Sequence, residues 1–212
     1  MLEEFGPFFA VSVHAAPPPP PWRPLTELAT APELLDRVRQ VRIGLGSDRR
    51  VAASVAQLGL VARLVAPVLA AVTRHGVLLD LGAGFWQPPL AGTFALSVPT
   101  PGGSAAGPVP PAGPVPPAGP LADLIRRGPV AELSAAIGRL GSVSERVLAG
   151  NTASAVNGAA LQLGAAAYPA AAGMLAGIPG EDANPGPGFR RRSCCLRYRV
   201  QGAGYCGDCV LC

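Results

Sequence analysis

The sequence predicts an α+β protein: one mainly helical domain with a small antiparallel sheet, finished by a C-terminal cysteine-rich module. Three observations carry that reading. Apolar residues recur at helical spacing over long stretches between residues 32 and 167. Only two short runs, residues 77–81 and 93–98, have the composition of strands. All five cysteines fall in the last nineteen residues, and the 193 before them contain none.

In chain order, residues 1–13 are apolar, with Phe5, Phe8 and Phe9, and should form a short helix or strand capping the core. The five prolines at 17–21 read as a polyproline II spacer. Thr30 is placed to cap a helix with Pro32 in its first turn and Leu34, Leu35, Val38 and Val41 on one face, ended by Gly44 and Gly46. Ser47 and Asp48 open the longest helix, to about His75, with a stripe of Val51, Val55, Leu58, Ala62, Val65 and Leu69; Pro67 should kink it near Arg63. Trp86, between the two strands, reads as a core residue. Residues 99–120 contain the hexad Gly-Pro-Val-Pro-Pro-Ala twice in tandem, at 107 and 113, a composition that buries no core and reads as a disordered insert. Helices resume at 121–127, 129–140 and about 144–167, the last capped by Ser142 or Ser144, and a short one follows Pro169. The division expected is a helical domain over 1–179 and a hinge (180–188) leading into the cysteine module, together 180–212.

Composition narrows the function. A chain of 212 residues is of a size to make one domain with one core, and alanine supplies much of its 49% apolar content. All seventeen basic residues are arginine, and the net charge is only +4. Arg190, Arg191, Arg192, Arg197 and Arg199 crowd around the first thiols, so the positive field is local and nucleic acid is not an expected partner. The opening Met-Leu-Glu-Glu is acidic where a secretory leader would be basic, and reduced thiols suit the cytoplasm. Residues 147–180 carry no charge but are mostly Ala and Gly, which reads as a closely packed helix pair and not a membrane span. The sequence contains no P-loop, no dinucleotide glycine fingerprint in a strand-to-helix setting and no GxSxG, and its two histidines, His14 and His75, are not placed for base chemistry.

The cysteines are spaced Cys194-Cys195, ten residues, Cys206-x-x-Cys209, with Cys212 left over. Four thiolates in this pattern can hold one tetrahedral zinc or an iron–sulfur cluster, and spacing alone leaves both open. A disulfide-stapled tail is disfavoured by the odd count. Gly202 and Gly204 let the ten-residue excursion fold back, and Gly207 eases the Cys-x-x-Cys turn. Neighbouring side chains in an extended chain point apart, so Cys194 and Cys195 serve one site only if the backbone kinks there, or if each serves a different iron.

Arg-Arg-Ser-Cys-Cys-Leu-Arg-Tyr-Arg-Val, running on to Tyr-Cys-Gly-Asp-Cys, resembles the C-terminal signature of the FhuF-like ferric-siderophore reductases. The likeness is strong over 190–211 and looser at Gly150-Asn151-Thr-Ala153-Ser154-Ala and at Asp48-Arg49-Arg50 through Ser54 to Leu64. Gln201 and Ala203 stand where the family's turn is richer in Pro and Gly, and Cys212 is an extra thiol. The resemblance implies a [2Fe–2S] cluster on Cys194, Cys195, Cys206 and Cys209, and one-electron reduction of siderophore-bound Fe(III) to Fe(II). The partners implied are a ferric siderophore, of hydroxamate type, and a separate donor such as a ferredoxin or flavin reductase. Association with the inner face of the membrane is a further expectation. Arg191, Arg192, Arg197 and Arg199 are candidates for docking substrate or donor by proximity, and as flanking cations they should raise the potential. The alternatives are a non-catalytic siderophore-binding protein stapled by zinc or a cluster, and a general electron carrier.

Overall fold

Helix α2 (Arg49–His75) is the axis of the molecule, and its sequence says why. Asp48 caps it, accepting the Val51 amide at 2.8 Å, and Gly76 closes it in the left-handed conformation. Between these stops run Ala, Val and Leu with few polar interruptions, and the helix is buried almost all round and continues through Pro67. The expected stripe was too narrow: Val51, Val65 and Leu69 are buried, but Val55, Leu58 and Ala62 are only half-buried, while Ala52, Ala53, Leu60, Val61 and Leu64 on other faces are covered. The computed structural model describes residues 2–90, 93–101 and 117–211. The first of the tandem hexads, the second as far as Pro116, and Cys212 lie outside them.

Around α2 pack α1 (Pro32–Leu45), α4 (Pro129–Gly141) and α5 (Glu145–Leu163), while α3 (Ala118–Arg126) and α6 (Tyr168–Leu175) pair with each other. Small residues set the spacing. A Cβ on Gly141 would collide with that of Ala53, and one on Gly177 would press on the Ala122 backbone. Thr30 does not cap α1. Its hydroxyl donates to Glu27 O at 3.0 Å, inside a 3-10 turn, and Ala31 takes the cap position. Ser144 stands at the α5 cap position without a side-chain bond, and Ser142 ends α4 in left-handed backbone. α3 begins three residues earlier than the composition implied, inside the stretch read as an insert.

The protein is mainly helical with a small sheet, but the sheet is mixed and its membership differs from the expectation. Four strands, β1 (Ser12–His14), β2 (Arg23–Pro24), β3 (Phe85–Trp86) and β4 (Leu96–Pro99), run in the order β1-β4-β3-β2. β1 pairs with β4 in parallel and the other pairs are antiparallel. Residues 77–81 form no strand; Leu79 and Leu81 are core contacts from a loop. Trp86 is fully buried, as expected. The sheet is joined to α2 by Arg63, a buried guanidinium that donates to Phe94 O at 2.9 Å, Phe8 O at 3.1 Å and Ala10 O at 2.6 Å. Burial without an acidic partner pulls its pKa down to about 10.

Candidate metal centre

The segment after α6 crosses the outer end of the α2–α5 pair, and α5 is built to receive it. Gly150, Asn151, Ser154 and Asn157 follow helical spacing and so share one face. A Cβ at Gly150 would collide with the Ser193 hydroxyl, so the glycine lets the incoming chain lie directly on the helix. Asn157 Oδ1 accepts the Gly186 amide at 2.7 Å. Ser193 donates to Arg146 O at 2.7 Å, and Arg146 donates to Arg192 O at 3.1 Å. Glu181 accepts the Arg192 amide at 2.9 Å; burial raises its carboxyl pKa, with the amide and the neighbouring arginines opposing.

The thiols come next. Cys195 and Cys209 are buried, Cys194 and Cys206 half-buried. The backbone turns one residue after the vicinal pair: Leu196 has φ of 67°, a conformation that non-glycine residues adopt only where their surroundings hold them. That turn brings the Leu196 amide to the Cys194 Sγ at 3.3 Å. Gly202 and Gly204, with φ of 76° and 62°, fold the excursion back as expected. Gly207 does not take a left-handed shape. The Cys-x-x-Cys turn closes through the Cys209 amide on Cys206 O at 3.1 Å, and the Leu211 amide reaches Cys209 Sγ at 3.4 Å. Cys195 and Cys206 bring their sulfurs to 3.6 Å, a contact and not a bond. Cys194 lies within electrostatic reach of Cys195 and Cys209.

Two supports under the thiols were not singled out individually from sequence. Ser54, on α2, donates to Cys195 O at 2.8 Å. Asn151 donates to Ser54 O at 2.9 Å and Ser54 Oγ at 3.0 Å, so both helices grip the first cysteine pair. The signal was there: Ser54, Asn151 and Ser154 stand in the two looser stretches of the family likeness.

The arginines separate by environment. Arg191 is only 2% exposed and cannot meet a docking partner. Its guanidinium donates to Asn151 Oδ1 at 3.0 Å, Ser154 Oγ at 2.8 Å, Asp208 Oδ1 at 2.8 Å and Cys206 Sγ at 3.5 Å. Burial alone would raise the Asp208 carboxyl pKa, but the hydrogen bonds from Arg191 and Ser154 hold it below the usual range. Arg192, Arg197 and Arg199 are exposed; Arg192 pairs with Asp182 at 2.6 Å and Arg199 with Asp48 at 3.7 Å.

The donor set suits a two-iron cluster. A cluster on four thiolates needs soft donors, N–H groups directed at sulfur and compensation for its negative charge. Here the sulfurs of Cys194, Cys206 and Cys209 each accept an N–H, and one of the donors is a cation. Burial raises the pKa of the Cys194 and Cys206 thiols, so binding metal displaces protons.

Residues 191–211 match the family model described as the FhuF 2Fe-2S C-terminal domain. No curated protein matches the chain. Over these residues the cysteine-rich segment is similar to the FhuF 2Fe-2S C-terminal domain, and that match, with the N–H groups directed at its thiols, supports a [2Fe–2S] cluster as its cofactor.

Proposed function

We propose that the protein is a cytoplasmic ferric-siderophore reductase, in which Cys194, Cys195, Cys206 and Cys209 hold the cluster. When bound, a [2Fe–2S] cluster supplies one-electron storage at modest structural cost. The observation that carries the reading is the set of N–H-decorated thiols in the segment that matches the FhuF 2Fe-2S domain. Fe(III) is a hard ion and prefers hydroxamate or catecholate oxygen; Fe(II) binds those oxygens far less tightly, so one electron releases the metal. That reaction needs no nucleophile and no proton shuttle, in keeping with His14 being tied to Ser97 Oγ at 2.8 Å and edge-on to Phe85, away from the thiols.

The chain leaves two surfaces beside the thiols. Arg192, two residues from Cys194, lines an open cleft of about 570 Å³ together with Glu145, Arg146, Ala149, Pro179, Gly180 and Glu181. This cleft, bordered by two arginines and two glutamates, is where a chelate would sit. Tyr198, Tyr205, Val210 and Leu211 are exposed on the module with Arg197 and Arg199, a mixture of apolar and basic groups fitted to an electron-donor protein such as a ferredoxin or flavin reductase.

The test is anaerobic. The dithionite-reduced protein is mixed with ferric hydroxamate siderophores and, in parallel, with unrelated one-electron acceptors, and Fe(II) is trapped by a ferrous chelator. Reoxidation with one Fe(II) released per electron, faster for the siderophores, is expected. Binding without reoxidation means a siderophore-binding protein, and equal rates with all acceptors mean a general carrier; either defeats the reductase reading.

A further inference from the structure

Arg191 and Asp208 form an ion pair at 2.8 Å in which the arginine side chain is 1% exposed and the aspartate 16%. Neither holds the core together: both belong to the thiol segment, and their other partners are Asn151, Ser154 and Cys206. The pair is also lopsided toward the sulfur. The guanidinium, not the carboxylate, makes the contact with Cys206 Sγ, and its field reaches Cys195 as well. Asn151 and Ser154 pin the guanidinium from the helix side, so it has no freedom to swing away as charge builds on the thiols.

We propose that Arg191 and Asp208 set the reduction potential of the cluster from opposite sides, the arginine raising it and the aspartate lowering it. This rests on the four-thiolate assignment above. The physics is electrostatic preorganisation. Reduction adds one negative charge to the thiolate-bound group. A fixed cation in hydrogen-bond contact with one of those thiolates stabilises the added charge and needs no rearrangement when the electron arrives. Water is excluded on the Arg191 side, so its charge acts at much lower effective dielectric than a surface charge would. Exposed Arg197 faces solvent, where counterions screen it within about 10 Å. Asp208 holds the arginine in place and partly cancels its field. Arg191 thus fixes the potential through Cys206, and does not touch substrate.

The experiment is a redox titration of the full-length, cluster-loaded protein, followed by visible absorption and EPR, in the wild type and in Arg191→Met, Arg191→Lys, Asp208→Asn and Arg197→Met. Arg191→Met should make reduction at least about tenfold less favourable, a downward shift of about 59 mV for a one-electron couple. Asp208→Asn, isosteric and still able to accept from the guanidinium, should shift the potential upward. Arg191→Lys keeps the charge and should fall between Arg191→Met and the wild type. Arg197→Met should move it least, and only its shift should fade between about 0.1 M and about 1 M salt. A merely structural pair would lower cluster occupancy in both variants without driving the potentials apart. Shifts of the same sign for Arg191→Met and Asp208→Asn, or no shift in either, overturn the proposal. If Arg191→Met does not retain iron, Asp208→Asn decides alone, and an unchanged or lowered potential overturns it. Iron and acid-labile sulfide are counted first on the wild type. Their absence defeats the cluster assignment itself; a normal cluster with unmoved potentials defeats only the role given to Arg191 and Asp208.

Discussion

Asn151 is fully buried and satisfies three separate groups: Ser54 O, Ser54 Oγ and the Arg191 guanidinium. An amide suits the place, since one end must donate and the other accept. Asn151→Ala should lower stability by about 2–3 kcal/mol, because it strands a buried charged donor on Arg191 and removes both bonds to Ser54. Thermal unfolding monitored at a helix band would show it as a drop in Tm of several degrees. Glu181 behaves differently. Burial raises its carboxyl pKa above the ordinary 4.5, so the folded protein keeps that proton to higher pH than the unfolded chain. Stability from this group therefore declines as pH rises from 4.5 through the raised value, and Glu181→Gln should flatten that part of a Tm-against-pH profile. At this scale the sequence was legible for the two turn glycines, Gly202 and Gly204, whose backbone chemistry is local. It was not legible for Arg191. Five arginines look alike in a row of letters, and only the fold decides which one is carried under the chain and which four stay in water.

Helix α5 has two jobs on two faces. One carries Ala153, Val156 and Ala160, all fully buried in the core; the other presents Gly150, Asn151, Ser154 and Asn157 to the C-terminal segment. Gly150→Ala should cost about 1–3 kcal/mol by overpacking against Ser193, and should lower iron retention, since the displaced residue adjoins Cys194. Gly158→Ala is the matched control: nothing lies within 4 Å of its added Cβ, and removing a mid-helix glycine should stabilise by about 0.5–1 kcal/mol. Chemical denaturation with iron counting on both variants checks the contrast. The helices were readable because each is a long local pattern. The strands were not. β4 depends on β1, which pairs Ser12 with Ser97 across more than eighty residues of chain, and no local signal encodes that partnership. Residues 77–81 have strand composition but no strand to pair with, and they pack as a loop.

The whole molecule is a helical body whose core, from Leu2 to Phe189, closes without help from any cysteine. Metal loading and folding are therefore separable here, unlike in domains too small to hold a core unaided. Cys206→Ser should abolish bound iron while leaving the far-ultraviolet helical signal unchanged, with a lower Tm from the loosened tail; collapse of the helical signal would show that the module holds up the body. Cys212→Ala should leave the iron in place, and a bleached Cys212→Ala protein would mean that the ligand set differs.

The completeness of the cover around α2 has a consequence for biosynthesis. Its most apolar stretch has a mean hydropathy of 2.0 and is 78% buried, and two of the helices that cover α2, α4 and α5, are encoded after it. At ribosomal rates of about 5–20 residues per second, α2 leaves the exit tunnel on the order of ten seconds before α5 follows. For that interval a helix greasy enough to enter a bilayer stands bare, so nascent chains stalled before α5 should be captured by holdase chaperones, and those stalled after α6 should escape.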